Sequence, residues 1–409
     1  MSTWLVPREE LTVDQLRAVE LDMGEHRLVF GPPGSGKTQV LVHRARYLCD
    51  KLGCGPDNFR IFVFNNVLKE YISSGLELLG IPDKCVSTFD RWCLNYHRRR
   101  IGGRLPWNAE EKCPDFIAIR KAVLEAVGSR PKGEPMYDFV LVDEAQDLDS
   151  DVFRVLTSIA GHVTACMDHK QQIYDHGTDE DRILGALGLK RRNMSLLAAF
   201  RCCPYVASVA AELIDDAEDR AAYLKQNRIP QTSGEKPLVY LAKDFDDEME
   251  RLIAVLRTRV LMGETVAVVL PHNRQVAGVA KALRTAGIEV EAQTSKNVDF
   301  DTDLPKVLTY HGVKGLTFDT VLMPRLVEGS FDEFRKDISQ RMVFVGITRA
   351  TNWVYLSGVA GQEMHALKRI CSSEQAGDLV IQRGRDSAQT VPEPPGQEDS
   401  GEIDFVDVL

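Results

Sequence analysis

The stretch GPPGSGKT, Gly31 to Thr38, has the spacing G-x-x-x-x-G-K-T, which lets a backbone hold phosphate groups. Gly31, Gly34 and Gly36, with Ser35 among them, leave N–H groups free to close around phosphate oxygens with no Cβ in the way. Lys37 then reaches the β and γ phosphates, and Thr38 offers its hydroxyl to Mg2+. Further along, DFVLVDEAQD ends an apolar run on Asp143 and Glu144. Asp143 would be the second Mg2+ ligand, directly or through water, while Glu144 would orient and deprotonate an attacking water. A GTPase or small-molecule kinase has no need of that Glu. The pair therefore favours hydrolysis of ATP.

These residues need strands to end on and helices to begin. The apolar runs HRLVF, RIFVF, DFVLV and HVTACM in the first half, and PLVYLA, TVAVVL, KVLTY, FDTVLM and WVYLSG in the second, alternate with helical patterns. Such alternation predicts parallel sheets joined by crossover helices. Two sets of runs predict an α/β protein of two lobes: the first over residues 1–95 and 137–198, the second over 199–372. Residues 96–136 read as a small, mainly helical insertion into the first lobe. From 373 to 409 the apolar period dissolves into Pro, Gly and acid, which predicts a disordered acidic tail.

Composition narrows the class. With 409 residues and a 44% apolar content the chain can bury two cores. The N-terminus lacks the basic start and apolar block of a signal peptide, and no apolar run spans a bilayer, so a cytoplasmic protein without a membrane partner is expected. The nine cysteines show no CxxC pair, which speaks against a zinc or redox motif. The net charge of −10 includes seven acids from Asp386 onward, leaving −3 for the rest. Local basic runs such as YHRRRIGGR can therefore still meet a polyanion.

In order along the chain, the motifs resemble those of the UvrD/Rep/PcrA branch of superfamily 1 helicases, from about residue 11 to 358. LTVDQLRAV is similar to the opening motif, whose glutamine, here Gln15, would read the adenine edge. MDHKQQIY resembles GDxxQSIY and makes Gln171 the γ-phosphate sensor. LLAAFR resembles LxxNYR, placing Phe200 against adenine and Arg201 at the γ-phosphate. TYHGVKGLTFD resembles TxHxxKGLEFD and brings Gly315 to the nucleotide. VFVGITRA resembles YVALTRA, with Arg349 as a second phosphate-contacting arginine. The resemblance implies two RecA-like lobes closing on ATP and Mg2+, with Lys37, Asp143, Glu144, Gln171, Arg201 and Arg349 doing the catalysis. It further implies movement along single-stranded DNA, or RNA, with 3′-to-5′ polarity, in repair, recombination or defence.

The family's strand-contacting motifs have counterparts too. FVFNN resembles TFTN and supplies Phe64 and Asn66; STFDRWC resembles TFHSFC and supplies Thr88, Phe89 and Trp92. Tyr174 and His176 follow the γ-phosphate sensor, and Thr309 and His311 would face the strand from the second lobe. The plainer reading of Phe64, Phe89 and Trp92 is core packing at a strand end. Several positions depart from the family pattern. His176 stands for a stacking aromatic, Thr317 for the glutamate of KGLE, and Asp90 for the histidine of TFHS. Gln39 stands for an arginine that would lie over the base. The second helical insertion of large members is nearly absent. These departures keep an alternative open: a nucleic-acid-stimulated ATPase subunit that regulates a larger complex without unwinding. The tip EIDFVDVL alternates acid with apolar residues, as a peptide that docks a protein partner would.

Overall fold

The computed structural model describes residues 4–32, 34–110, 112–129, 135–168, 180–191, 194–196, 203–226, 234–293, 298–372 and 377–384. Gln171, Tyr174, His176, Phe200 and Arg201 lie outside the described residues, as does the acidic tip from residue 385.

The first lobe opens with α1 (Val13–Glu20), β1 (Arg27–Phe30), α2 (Lys37–Leu52), β2 (Phe59–Val63), α3 (Asn66–Leu78), β3 (Val86–Thr88) and α4 (Phe89–Tyr96). A basic turn at His97–Ile101 leads to the short hairpin of β4 (Trp107–Asn108) and β5 (Cys113–Pro114). Then come α5 (Phe116–Gly128), β6 (Tyr137–Val142), α6 (Ser150–Ile159), β7 (Ala160–Met167), α7 (Glu180–Ala186) and β8 (Met194–Ser195). Among the described residues these build a parallel six-stranded sheet in the order β3-β2-β6-β7-β1-β8.

The second lobe holds α8 (Pro204–Ala211), α9 (Ala217–Gln226), β9 (Leu238–Ala242), α10 (Phe245–Leu261), β10 (Val266–Leu270), α11 (Asn273–Thr285) and β11 (Glu291–Ala292). It continues with β12 (Lys306–Thr309), β13 (Phe318–Met323), α12 (Lys336–Ile347), β14 (Ala350–Val359), α13 (His365–Cys371) and β15 (Val380–Arg383). Its strands run in the order β11-β12-β10-β13-β14-β9-β15, again parallel throughout among the described residues. Two parallel sheets, each clothed by helices, are the expected α/β architecture.

Two details depart from the pattern-based reading. The sequence VIQR, placed in a structureless tail, pairs with β9 as the edge strand β15; four residues, three of them exposed, carry too little apolar period to announce a strand. The helix α5, read as part of an insertion, buries Ile119, Val123 and Val127 in the same apolar cluster as Phe62, Phe89 and Phe153. It belongs to the first lobe's helical layer. A second cluster crosses between the lobes, joining Val40, Leu41 and Leu68 to Leu308, Tyr310 and Leu316.

Arg44 shows how α1 is fixed to the sheet. Its guanidinium is fully buried and donates to the carbonyls of Val19 and Leu21, each at 2.8 Å, and to Thr164 Oγ1 at 2.9 Å. It thereby satisfies backbone groups at the end of α1 that the helix leaves open. It also lies 3.1 Å from His162 Nε2. Burial first, and then the Arg44 charge, push the His162 imidazole down to about 3 from 6.5. Between those values the unfolded chain takes up a proton at His162 and the folded chain does not. Stability is therefore lost as pH falls through 6.5 towards 3, at up to about 1.4 kcal/mol per pH unit. Urea unfolding at pH 7, 6 and 5 should show a steeper fall for the wild-type chain than for His162→Gln; equal slopes would contradict the assignment.

Candidate active site

The loop between β1 and α2 is shaped as its glycines require. Gly34 and Gly36 take φ of 75° and 82°, the left-handed region that costs other residues strain. A Cβ on Gly36 would stand 2.2 Å from Gln15 Nε2, and one on Gly31 only 2.3 Å from Ser35 Oγ. The cradle thus exists because these side chains are missing. It opens onto the N-terminus of α2, whose free N–H groups and dipole favour an anion. Lys37 Nζ donates to the carbonyls of Gly31 at 2.8 Å and Pro32 at 3.1 Å, and lies 3.9 Å from Asp168 Oδ2. Ser35 Oγ is buried with no hydrogen-bond partner among the described residues.

Parallel order brings the second half of the site to the same edge. β7 lies between β1 and β6, so the loops after β1 and β6 meet across its C-terminal end, where α/β sheets bind ligands. Thr38 Oγ1 donates to Asp143 Oδ2 at 2.9 Å. Glu144 follows with φ 51° and ψ 44°, a left-handed conformation uncommon outside glycine and typical of functional sites. Gln146 holds it: its Nε2 donates to Glu144 Oε2 at 2.5 Å, and its Oε1 accepts from the Asp168 amide at 3.0 Å.

The two carboxylates titrate in opposite directions. Burial, reinforced by Glu144, raises Asp143 above the ordinary carboxylate range. Burial would also raise Glu144, but Lys314 first, then Lys37 and Arg349, outweigh it and hold its carboxyl low. Lys314 comes from the second lobe. It is buried, forms an ion pair with Asp147, and lies 3.9 Å from Glu144 Oε2. Gly315, at φ 82°, lets the lobes approach this closely: a Cβ there would meet Leu68 Cδ1 at 2.8 Å.

A cleft runs between the lobes, lined by Gly34, Gly36, Lys37, Thr38, Gln39 and Glu144 on one side and Gly315, Thr317 and Arg349 on the other. Gly315 and Thr317 precede β13 and Arg349 precedes β14. Arg349 is buried, its Nε donating to Val345 O at 3.1 Å and its Nη2 to Thr348 Oγ1 at 3.2 Å.

Other residues singled out in the sequence have different employment. Gln15 completes a capping box on α1 with Thr12, and its Nε2 donates to Ser35 O at 3.0 Å; the amide fixes the phosphate loop. Gln39 lines the cleft with its amide already engaged: its Nε2 donates to Trp4 O at 2.5 Å and its Oε1 accepts from Val6 N at 3.3 Å. Phe89 and Trp92 are 3% and 7% exposed, packed with Phe62, and Trp92 Nε1 donates to Tyr137 OH. Neither ring is available to stack on a base, which corrects the strand-contact expectation in favour of core packing. Thr88 caps α4. Thr309 is buried and bonds Gln293 and the Gly312 amide, shaping its loop rather than facing outward. His311 is half-buried, and burial pushes its imidazole down to about 4. Phe64 is half-buried and Asn66 exposed, whereas Asn65 caps α3 and donates to His311 O at 2.7 Å across the lobes. Asp90 is no bare acid: the Arg120 guanidinium grips it with two bonds and reaches Asp149 with a third.

Sequence reading missed Lys314, Asp147 and Trp4. The lysine and the aspartate stood inside quoted motifs, KG and DEAQD, but nothing in one sequence pairs them. Trp4 carries no motif at all.

Comparison with known proteins follows the same division. Residues 11–127 match the UvrD/REP helicase N-terminal domain, and residues 306–357 match the UvrD-like helicase C-terminal domain. The chain is 21% identical over 388 residues to a protein of Acanthamoeba polyphaga mimivirus named "Putative ATP-dependent DNA helicase". That alignment takes in 85% of this chain and 53% of the viral protein, so the chain spans about half the length of the curated relative it matches. Among solved structures, the C-terminal domain of a possible DNA helicase from Lactobacillus plantarum aligns with 45% of this chain and 99% of its own, at 17% identity and a TM-score of 0.35.

Proposed function

Because the chain belongs to the UvrD/Rep-like helicases of superfamily 1, we propose that it hydrolyses ATP between its two lobes to move along, or unwind, DNA with 3′-to-5′ polarity. The observation that carries this reading is the cleft itself, where a phosphate loop and Glu144 from one lobe face Arg349 from the other. In this reading the first lobe comprises residues 1–95 and 137–198 together with α5, and the second runs from 199 through β15.

The loop amides and the N-terminus of α2 would bind the phosphates, with Lys37 answering the charge on the β and γ groups. Thr38 and Asp143, a hydroxyl and a buried carboxylate 2.9 Å apart, form the hard oxygen pair that Mg2+ prefers. Bound there, Mg2+ would supply charge neutralisation at the phosphate oxygens. Glu144, held charged by Lys314, Lys37 and Arg349, accepts a proton from the attacking water at its carboxylate. Arg349, buried and fixed by its own lobe's carbonyls, presents a cation that needs little reorganisation as charge develops. Gln171, Phe200 and Arg201 complete this assignment as the γ-phosphate sensor, the adenine contact and the second arginine. Since the catalytic groups come from two lobes, hydrolysis requires closure and release permits opening.

A single strand would pass over Phe64, Asn66, Thr88 and His311, joined by Tyr174 and His176. ATP turnover measured with and without single-stranded DNA or RNA, followed by displacement from 3′- and 5′-tailed duplexes, tests the proposal. Stimulation by DNA and displacement from the 3′ tail are expected. Stimulation without displacement from either tail would leave the regulatory ATPase reading, and indifference to any strand would sink both.

A further inference from the structure

The family pattern puts an arginine over the base at the position of Gln39, which lines the cleft here but has its amide engaged by the N-terminal segment. Its amide clasps the backbone of Trp4 and Val6. One turn further along α2, His43 Nε2 lies 2.9 Å from the Val6 carbonyl. Residues 4–6 are thus fastened along α2 at three backbone groups. The consequence is that Trp4 lines the cleft beside Gly34, Gly36, Lys37, Thr38 and Thr317.

The indole is held there firmly. Its Nε1 donates to Ser74 Oγ at 3.1 Å, and its ring stacks on Tyr71 with centroids 4.2 Å apart at 23°. Gly75 admits it: a Cβ at that position would come 2.4 Å from Trp4 Cζ2. Tyr71 meets Phe300 of the second lobe edge-on at 5.4 Å. Lys37 and Glu144 mark the γ-phosphate end of the site, so the nucleoside must leave the loop at the opposite end, past Thr38 and Gln39. Trp4 stands at that exit.

We propose that Trp4 is a nucleoside-binding residue, its indole packing against the base of the bound nucleoside triphosphate beside Gln39, whose amide the backbone of Trp4 and Val6 already occupies. This rests on the ATP site proposed above. A tryptophan with few rotatable bonds, already pinned by Tyr71 and Ser74, loses little freedom when it stacks on a base.

Equilibrium binding of ATP and of inorganic tripolyphosphate, which has no base, separates the possibilities in the full chain. Trp4→Ala should weaken ATP roughly five- to 150-fold, the range of one aromatic–base stack, and leave tripolyphosphate unchanged. Trp4→Phe should retain most of the ATP affinity. Unchanged ATP binding in Trp4→Ala, or parallel loss of both ligands, overturns the proposal. Should that variant fail to fold, Trp4→Leu keeps the apolar bulk without the aromatic face and carries the same comparison. Lys37→Ala serves a different purpose: if it binds both ligands as the wild type does, the ATP site itself is misassigned, whatever Trp4 does.

Discussion

Glu144→Gln should lower ATP turnover by about 10²- to 10⁴-fold, the contribution typical of a positioned general base, while ATP binding persists. The substitution keeps the shape of the side chain and an oxygen able to accept from Gln146 Nε2, so the left-handed turn at residue 144 retains its brace. What disappears is the carboxylate that three cations hold charged. The phosphate loop, Lys37 and the Thr38–Asp143 pair are untouched, which is why binding and turnover should separate. Single-turnover hydrolysis and a binding titration on the same preparation are the measurements. Normal turnover in this variant would mean that the proton acceptor lies elsewhere.

Replacing Lys314 by Met should have the largest effect on stability. The lysine is buried between lobes against Asp147 and near Glu144. Removing one partner of such a pair strands the other charge, at a cost of about 3–5 kcal/mol. Protonation of the stranded group limits that loss. Burial already raises Asp147 to about 7 even beside Lys314, so without the lysine its carboxyl would take up a proton near neutral pH. A fall towards the lower end of the range is therefore expected, read as a lower urea midpoint. Asp147→Asn combined with Lys314→Met should recover much of it, because neither buried charge remains. Turnover should stay low in both variants, since Glu144 has lost the cation supplied by the second lobe. A wild-type midpoint in the single variant would show that the bridge does not hold the lobes together.

Much of this site was legible because its chemistry is local. The glycines, Lys37 and Thr38 lie within eight consecutive residues, and their geometry follows from the missing Cβ atoms and a helix start. Asp143 and Glu144 end a strand whose apolar run is unmistakable. All nine apolar runs singled out in the sequence became strands in the two parallel sheets. The elements that escaped, β3, β8, β11 and β15 and the hairpin of β4 and β5, have two to four residues each, too few to show a period of two.

What one sequence by itself determined is thus the phosphate loop, its acidic partner, the paired α/β architecture and the order of the motifs. Only the tertiary structure decided which polar groups face one another across the lobes. Lys314 and Asp147 are far apart in the chain, and whether a lysine meets solvent or a buried carboxylate depends on how two sheets dock. The same holds for the aromatic residues. Trp92 and Trp4 are the same side chain, but one lies in the core on Phe62 and the other at the mouth of the cleft. No local pattern distinguishes them, because burial is a property of the packing around a side chain. Gln39 shows the point most plainly: its position in the motif directs it towards a base, and the backbone of Trp4 and Val6 claims its amide instead.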